Sequence, residues 1–292
     1  MFRTVSAHDY FEQQYVLRKS LPTFGADVAE WEALSADRCF TGYSFHVEHY
    51  GDHPRQTLEL FKAAPGRDGK GLEAGEGLET GRGLAVFIHG GFWRAMHREQ
   101  SRFMATPFLK RGFDCAIVEY RLMPEFRLRD LVDDTLAALS HLARNRERLA
   151  LAGPTIIAGH SAGAHLALYA TMEARKAGIA AGVGDTSLLL FSGVYDIHSV
   201  QPTSVGDEFR ATPEEVASRS IHSGATLGGQ KAVFVVGAEE TDDFKRQSLF
   251  GAQQLCRKGE DEVFVVDGAN HLTLLLEFAR DDALCDAILA RL

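Results

Sequence analysis

Short apolar runs alternate with longer helical patterns from about residue 43 to residue 292. This alternation predicts an α/β fold, in which a mostly parallel sheet carries helices on both faces. The runs are nearly continuous in Val, Ile, Leu and Phe, which is typical of strands buried on both sides. We predict strands at residues 43–49, 57–62, 84–88, 115–120, 155–158, 188–191, 232–236 and 263–266, the first two as an antiparallel pair.

Helical patterns fill the intervals between these strands. A chain of 292 residues with 45% hydrophobic content has enough apolar side chains for a full core. We therefore expect one domain that spans residues 1–292. Its predicted helices lie at residues 98–111, 127–145, 161–176, 242–258 and 272–292.

Three segments depart from the alternation. Residues 1–42 are rich in aromatic side chains and helical in pattern, and we expect them to form an arm over the top of the sheet. Residues 66–83 are dense in Gly and charged residues, which predicts a flexible exposed loop. Their glycines lack the GxxxxGK[ST] spacing of a phosphate-binding loop. Residues 198–229 contain two prolines and a short helical pattern, and are expected to form a small cap.

Composition limits the classes of partner. The net charge of −9 disfavours nucleic acid and anionic membranes, because an acidic protein is repelled by both. The sequence has neither a signal-peptide pattern nor an apolar run of about 20 residues, so we expect a soluble, cytoplasmic protein that acts on a small molecule. The four cysteines have no metal-site or disulfide spacing and are interpreted as packing residues: Cys39, Cys115, Cys256 and Cys285.

The pentapeptide at residues 159–163, Gly-His-Ser-Ala-Gly, follows an apolar strand and precedes a helical pattern. In this context a GxSxG sequence forms a sharp turn that exposes the serine, here Ser161, as a nucleophile. The helix that follows directs its free N–H groups toward the same point, which favours a developing oxyanion. The sequence therefore predicts that Ser161 attacks a carbonyl carbon.

A serine nucleophile needs a base, and the base needs a carboxylate. His271 follows the last predicted strand, where the chain order of serine, acid and histidine places the base. The candidate acids follow the strand at 232–236. Glu240 is preferred because Asp242 and Asp243 resemble first-turn residues of the next helix. The alternatives that stay open are Asp242, Asp243 and Glu239.

The sequence His-Gly-Gly-Phe-Trp at residues 89–93 follows another apolar strand. A glycine-rich loop at this position supplies backbone N–H groups to an oxyanion hole. We predict Gly90, Gly91 and Ala162 as the donors of these N–H groups. The side chains expected to line the substrate pocket are Phe92, Trp93 and His160, although core packing is an equal alternative for the two aromatic residues.

A metal site at His46, His49 and His53 is disfavoured. If residues 43–49 form a strand, His46 and His49 point to opposite faces and cannot bind one ion together. We therefore expect neither a metal nor a cofactor.

These motifs together resemble the kynurenine formamidase (arylformamidase) branch of the α/β-hydrolases, which is close to the hormone-sensitive-lipase-like esterases. The resemblance implies hydrolysis of an N-formyl arylamine, N-formyl-kynurenine to kynurenine and formate, by a metal-free triad and often in a homodimer. In the family pattern the acid follows a glycine by three positions, which corresponds to Glu240. Animal members carry Asp there and HGGYW in place of HGGFW. The segments that carry the resemblance are residues 15–18 with Trp31 and Ser35, 56–61, 89–93, 120–125, 159–163, 236–248 and 270–271.

Two other functions use the same sequence features. A carboxylesterase that cleaves short acyl or aryl esters would need the same three residues, because only the leaving group differs. A non-catalytic ligand receptor on this fold would be expected to lack a member of the triad. All three positions hold competent residues here, which favours an enzyme.

Overall fold

A mixed sheet forms the centre of the computed structural model, which describes residues 4–37, 43, 45–63, 81–179, 182, 184–209, 211–222, 225–256 and 263–292. The strands are β1 Phe45–His49, β2 Thr57–Phe61, β3 Gly83–Ile88, β4 Phe113–Val118, β5 Thr155–His160, β6 Thr186–Phe191, β7 Ala232–Gly237 and β8 Val263–Val266. Their order in the sheet is β1-β2-β4-β3-β5-β6-β7-β8.

The sheet is antiparallel only at its first edge. Strand β1 pairs antiparallel with β2, and β2 pairs antiparallel with β4. The pairs from β4 through β3, β5, β6 and β7 to β8 are all parallel. This is the sheet of the α/β-hydrolase fold, so the predicted fold class and the predicted opening antiparallel pair are confirmed.

The inner strands separate two apolar layers. Every residue of β3, β4 and β5 is buried. Along β3, Leu84, Val86 and Ile88 pack into one cluster, whereas Ala85 and Phe87 pack into the other. This alternation follows from the two-residue period of a strand and explains why the inner strands are apolar on both faces.

Helices cover both layers. On one face lie α1 and α2 with the long helices α5, α6 and α9, and on the other lie α3, α4, α10 and α11. The helices are α1 Ala7–Tyr15, α2 Leu17–Ser20, α3 Phe24–Ala36, α4 Ala105–Leu109, α5 Leu128–Arg144, α6 Ala162–Lys176, α7 Ser204–Phe209, α8 Pro213–Ser218, α9 Asp242–Leu255, α10 Thr273–Arg280 and α11 Asp282–Leu289, with 3-10 helices at Arg98–Met104 and Ile197–Ser199.

Two predicted helices are interrupted. The segment 98–111 divides into a 3-10 helix and α4, because Pro107 has no N–H to donate to the carbonyl one α-helical turn earlier. The segment 272–292 divides at Asp281. The carboxylate of Asp281 accepts hydrogen bonds from the N–H groups of Ala283 and Leu284, at 2.9 and 3.0 Å, and so begins a new helix.

The three segments that depart from the strand–helix alternation differ in how far the structure describes them. Within residues 4–37 the predicted arm forms α1, α2 and α3, as its pattern indicated. The predicted loop at 66–83 lies outside the described residues up to residue 80, and its last residue, Gly83, begins β3 instead. The predicted cap contains α7 and α8 within its described part. In the part of the chain that the structure covers, every helix is too short or too polar to cross a membrane.

Candidate active site

The polar residues of the candidate site follow neighbouring strands at the point where each strand ends. Because the carboxyl ends of parallel strands meet at one edge of a sheet, these residues are brought together there. His89 follows β3, Ser161 follows β5, Ser192 follows β6, Glu240 follows β7 and His271 follows β8.

Ser161 lies in a strained turn between β5 and α6. Its φ of 54° and ψ of −120° place a non-glycine residue in a sparsely populated region. Both glycines of the pentapeptide are required. A Cβ on Gly159 would overlap the carbonyl of Gly163, and a Cβ on Gly163 would overlap the carbonyl oxygen of Ile88. The turn predicted from the GxSxG sequence is therefore present, and close contact of α6 with β3 maintains it.

Glu240 and His271 form a buried pair. The His271 Nδ1 lies 2.7 Å from Glu240 Oε2, and both residues are almost inaccessible to solvent. The other carboxylate oxygen of Glu240 accepts hydrogen bonds from the Gly237 N–H at 2.8 Å and from the Ser192 hydroxyl. With Nδ1–H donated to the carboxylate, the tautomer that leaves Nε2 free as a base is the favoured one.

The alternative acids have other partners. Asp243 is bound by Arg246 at 2.5 Å and by the Tyr15 hydroxyl. Asp242 is largely exposed and pairs with Lys245 within the first turn of α9. Of the acidic residues that remained open from the sequence, Glu240 is the one that contacts the histidine.

The amino-terminal arm is hydrogen-bonded to the segment that carries His271. The Trp31 indole Nε1–H donates to the Leu272 carbonyl at 3.1 Å, and the Asn270 side-chain amide donates to Asp27 at 3.0 Å. These contacts join residues more than 240 positions apart in the chain. Sequence reasoning missed them, and also missed Ser192, because no motif marks either.

His160 and Phe244 pack against the imidazole of His271. The ring centroids of His160 and Phe244 lie 4.5 and 4.1 Å from that of His271. The His160 Nε2 lies 2.8 Å from the His271 carbonyl oxygen. Burial lowers the pKa of His160 well below its usual value, so this ring stays neutral and donates Nε2–H to that carbonyl.

Side chains of Glu119 and Tyr120 support the glycine-rich loop that follows β3. The Tyr120 hydroxyl lies 2.9 and 3.0 Å from the carbonyl oxygens of His89 and Gly90, and the His89 ring stacks on the Tyr120 ring. The His89 Nε2 lies 3.1 Å from Glu119. Burial by itself would raise the pKa of Glu119, but the hydrogen bond and charge of His89 and the charge of Arg55 lower it to about 2.

The backbone N–H groups predicted for the oxyanion hole are available. In the part of the chain that the structure covers, the N–H groups of Gly90, Gly91 and Ala162 donate to no other group of the chain. A Cβ on Gly90 would lie 3.1 Å from the Cβ of Ser161, so this loop lies directly against the candidate nucleophile. Gly91 has φ of 103°, which L side chains rarely adopt.

A cavity of about 410 Å³ opens beside Ser161 and His271. Phe92 and His160, two of the residues expected in the substrate pocket, line this cavity. Trp93 does not line it, because its side chain is fully buried and packs against His165 and Phe209, with centroids 5.3 and 5.1 Å away. This corrects the expectation for Trp93 in favour of core packing. Much of the remaining wall comes from the arm, as Tyr15, Val16, Leu17, Arg18, Phe24, Val28 and Trp31.

The group of possible metal ligands in the structure does not include the histidines at which a metal site was disfavoured. His46 Nε2 lies 3.4 Å from Glu48, and His53 Nδ1 accepts from the backbone of Arg55. Among the described residues, the group whose ligand atoms lie within 4.8 Å of one another consists of His97, Glu99 and Glu119. Glu119 is already paired with Arg55, whose charge opposes a cation there.

Comparisons with known proteins give a consistent set of relatives. The family model described as BD-FAE matches residues 76–200. The chain is 27% identical to a kynurenine formamidase of Drosophila melanogaster over 236 residues, which is 78% of each chain. It is also 27% identical to a kynurenine formamidase of Salmo salar over 172 residues, 56% of each chain. A solved bacterial heroin esterase superposes with a TM-score of 0.65 at 22% identity, and the match covers 94% of this chain and 90% of that one.

These similarities confirm the resemblance that the motifs indicated. The chain has the α/β-hydrolase fold and is similar in sequence to kynurenine formamidases. It is a hydrolase.

Proposed function

We propose that this hydrolase cleaves an N-formyl arylamine, N-formyl-kynurenine in the first instance, to the free amine and formate. The proposal rests on the Glu240–His271 pair, because His271 lines the same cavity as Ser161, whose backbone is strained. A serine beside an anchored imidazole is the arrangement that activates a hydroxyl nucleophile without a metal.

The proposed reaction begins at Ser161. His271 Nε2 takes the hydroxyl proton while Oγ attacks the formyl carbon, which gives a tetrahedral oxyanion. The C–N bond then breaks, and His271 returns the proton to the leaving arylamine. Glu240 stays ionised throughout and stabilises the imidazolium. Water repeats the sequence on the formyl-enzyme, so that formate leaves and the Ser161 hydroxyl is restored.

The oxyanion is assigned to backbone donors. Among the described residues the N–H groups of Gly90, Gly91 and Ala162 are unengaged. Gly90 lies against Ser161, and Ala162 follows Ser161 as the first residue of α6. Fixed donors of this kind need no reorganisation as charge develops, and removal of one such donor costs roughly 10²–10³ in turnover in comparable enzymes. The hydrogen bonds from the Tyr120 hydroxyl to the carbonyl oxygens of His89 and Gly90 keep the loop in place.

Two observations favour an aryl formamide as substrate. The cavity of about 410 Å³ lies within the range of small-molecule sites, roughly 300–1,000 Å³, and the rings of Tyr15, Phe24, Trp31 and Phe92 border it. The similarity to kynurenine formamidases supports the formamide as the bond that is cleaved. Aromatic walls suit a flat arylamine leaving group.

The test compares the two leaving groups. We would measure kcat/KM for N-formyl-kynurenine and for p-nitrophenyl acetate, with Ser161→Ala as the control. A value for the formamide above roughly 10⁴ M⁻¹s⁻¹, together with its loss in Ser161→Ala, is expected of an enzyme on its own substrate. Fast ester cleavage with a negligible formamide rate would reject the formamidase and leave a carboxylesterase. Near-normal activity of Ser161→Ala would reject the serine mechanism.

A further inference from the structure

Two arginines line the cavity beside Ser161, although the chain as a whole carries a net charge of −9. Arg18 and Arg94 both line it, and no Asp or Glu is among the described residues that do. The two histidines on its wall add no negative charge. A site for an uncharged substrate has no need of this arrangement.

The two arginines differ in their partners. Arg94 pairs with Glu208, so its charge is balanced. Arg18 has no carboxylate within ion-pair distance among the residues that the structure describes. Its guanidinium carbon lies 5.3 Å from the centroid of the Phe24 ring, which also lines the cavity. Arg18 is an exposed residue, and this contact favours one position of the guanidinium, whose N–H groups make no hydrogen bond to a described residue.

The acidic residues Glu12 of α1, Asp27 of α3 and Asp243 of α9 have partners of their own. Glu12 accepts a hydrogen bond from Lys19 at 2.5 Å and from the Ser204 N–H at 2.8 Å. Asp27 accepts from Thr23 and Asn270, and Asp243 from Arg246. No rearrangement of these pairs is needed for Arg18 to receive an anion from solution.

We propose that Arg18 binds a carboxylate of the substrate, separate from the carbonyl that Ser161 attacks. N-formyl-kynurenine carries such a carboxylate, so the inference is the residue that binds it and the preference for acidic ligands that follows. A guanidinium binds a carboxylate through two parallel hydrogen bonds, which adds orientation to charge. The apolar wall strengthens this contact, because it excludes water from one side of the pair. This inference rests on the proposed function only in taking the cavity as the substrate site.

The first experiment uses two inhibitors that differ only in charge. 4-Phenylbutyrate and 4-phenylbutyramide are titrated as competitors of p-nitrophenyl acetate hydrolysis, and the ratio of their inhibition constants is measured. In the wild type the acid should bind at least tenfold more tightly than the amide. In Arg18→Gln this ratio should fall to about one. Arg18→Lys should retain part of the preference, because lysine keeps the charge but lacks the two parallel N–H donors of a guanidinium.

Lys19→Gln is the matched control. It removes one positive charge at the next position of the chain, but Lys19 is paired with Glu12 and does not line the cavity. The ratio should stay at its wild-type value in this variant. An equal fall in Arg18→Gln and Lys19→Gln would overturn the proposal in favour of a general surface charge. Equal or undetectable binding of the two inhibitors to the wild type would also overturn it.

A second measurement separates this proposal from the proposed function. Calorimetric titration of the same two compounds into wild type, Arg18→Gln and Lys19→Gln reports binding without any turnover. Selective binding of the acid that depends on Arg18 would support the carboxylate site even if Ser161 proved inactive on formamides. Conversely, rapid Ser161-dependent hydrolysis with no preference for the acid would leave the hydrolase intact and reject the role of Arg18.

Discussion

The Glu240 carboxylate lies 2.7 Å from Nδ1 of His271, and its second oxygen is held by the Gly237 N–H and the Ser192 hydroxyl. One carboxylate oxygen is thus held by the Gly237 N–H and the Ser192 hydroxyl, while the other faces the imidazole. A base oriented in this way presents Nε2 to the cavity in one tautomer, which is the state that a serine nucleophile requires.

Replacement of Glu240 tests this orientation directly. In Glu240→Gln the amide can donate to Nδ1, which favours the tautomer with its proton on Nε2 and removes the base. We expect kcat to fall by roughly 10³–10⁴ with a small change in KM, as for comparable triads. Steady-state kinetics on the better of the two substrates provide the measurement. Glu240→Asp, with the charge kept, should retain more activity, and equal rates for the two variants would contradict the assignment.

The contact between the arm and the His271 segment gives a second prediction. Trp31→Phe keeps a ring in the core but removes the hydrogen bond to the Leu272 carbonyl. We expect kcat to fall about threefold to tenfold, and the free energy of unfolding to fall by about 1–3 kcal/mol from the lost bond and volume. Urea unfolding and kinetics measure the two effects separately.

Phe108→Leu is the control for Trp31→Phe. Phe108 is buried in the same apolar cluster and packs against Phe278, without a hydrogen bond to the His271 segment. It should lower stability with little change in kcat. If both variants lowered kcat to the same extent, the arm would be acting through general stability rather than through the position of His271.

The sequence predicted the residues of the candidate site that follow apolar strands, because their position depends on local pattern and on chain order. Ser161 and His271 can be identified for this reason, and Glu240 ranks above its neighbours because Asp242 and Asp243 belong to the first turn of α9. The structure brings the three residues to one sheet edge. Their role in catalysis remains a prediction.

Contacts made by distant segments could not be predicted in this way. Trp31 reaches Leu272 only because the arm folds back over the end of the sheet. Trp93 was expected in the pocket, but its φ of 58° and the packing of Phe209 direct it into the core. Both outcomes depend on tertiary packing, which hydrophobic periodicity does not encode.

Acid sensitivity provides a third prediction. The pKa of Glu119 is lowered to about 2, so its charged form stabilises the folded state. This stability is present above pH 4.5 and is lost as pH falls from 4.5 toward 2. In Glu119→Gln the melting temperature should be well below that of the wild type at pH 7, and the difference should shrink through this range. Because Glu119 holds His89 and the Arg98 N–H, kcat should also fall.

Glu48→Gln is the control for Glu119→Gln. The pKa of Glu48 is lowered in the same way, but Glu48 lies on β1. The hydrogen bond from Arg148 lowers the pKa of Glu48 to about 2, burial opposes this, and His141 adds to the lowering. The difference in melting temperature between Glu48→Gln and the wild type should shrink over the same pH range. The change should be smaller than for Glu119→Gln, because Glu48 is more exposed and its charge is screened by solvent. Its kcat should stay at the wild-type value. Loss of activity in both variants, or in neither, would contradict the support of the glycine-rich loop by Glu119.

The close approach of α6 to β3 gives the last prediction. A Cβ at Gly163 would overlap the carbonyl oxygen of Ile88, so Gly163→Ala must move the helix that begins beside Ser161. We expect kcat/KM to fall more than 10²-fold, and stability to fall by about 1–3 kcal/mol, as for an overpacked core. Gly25→Ala is the matched control, because a Cβ at Gly25 meets nothing within 4 Å and its helix favours alanine. Gly25→Ala should keep wild-type kinetics with equal or slightly higher stability. Wild-type activity in Gly163→Ala would show that the turn at Ser161 does not depend on this approach.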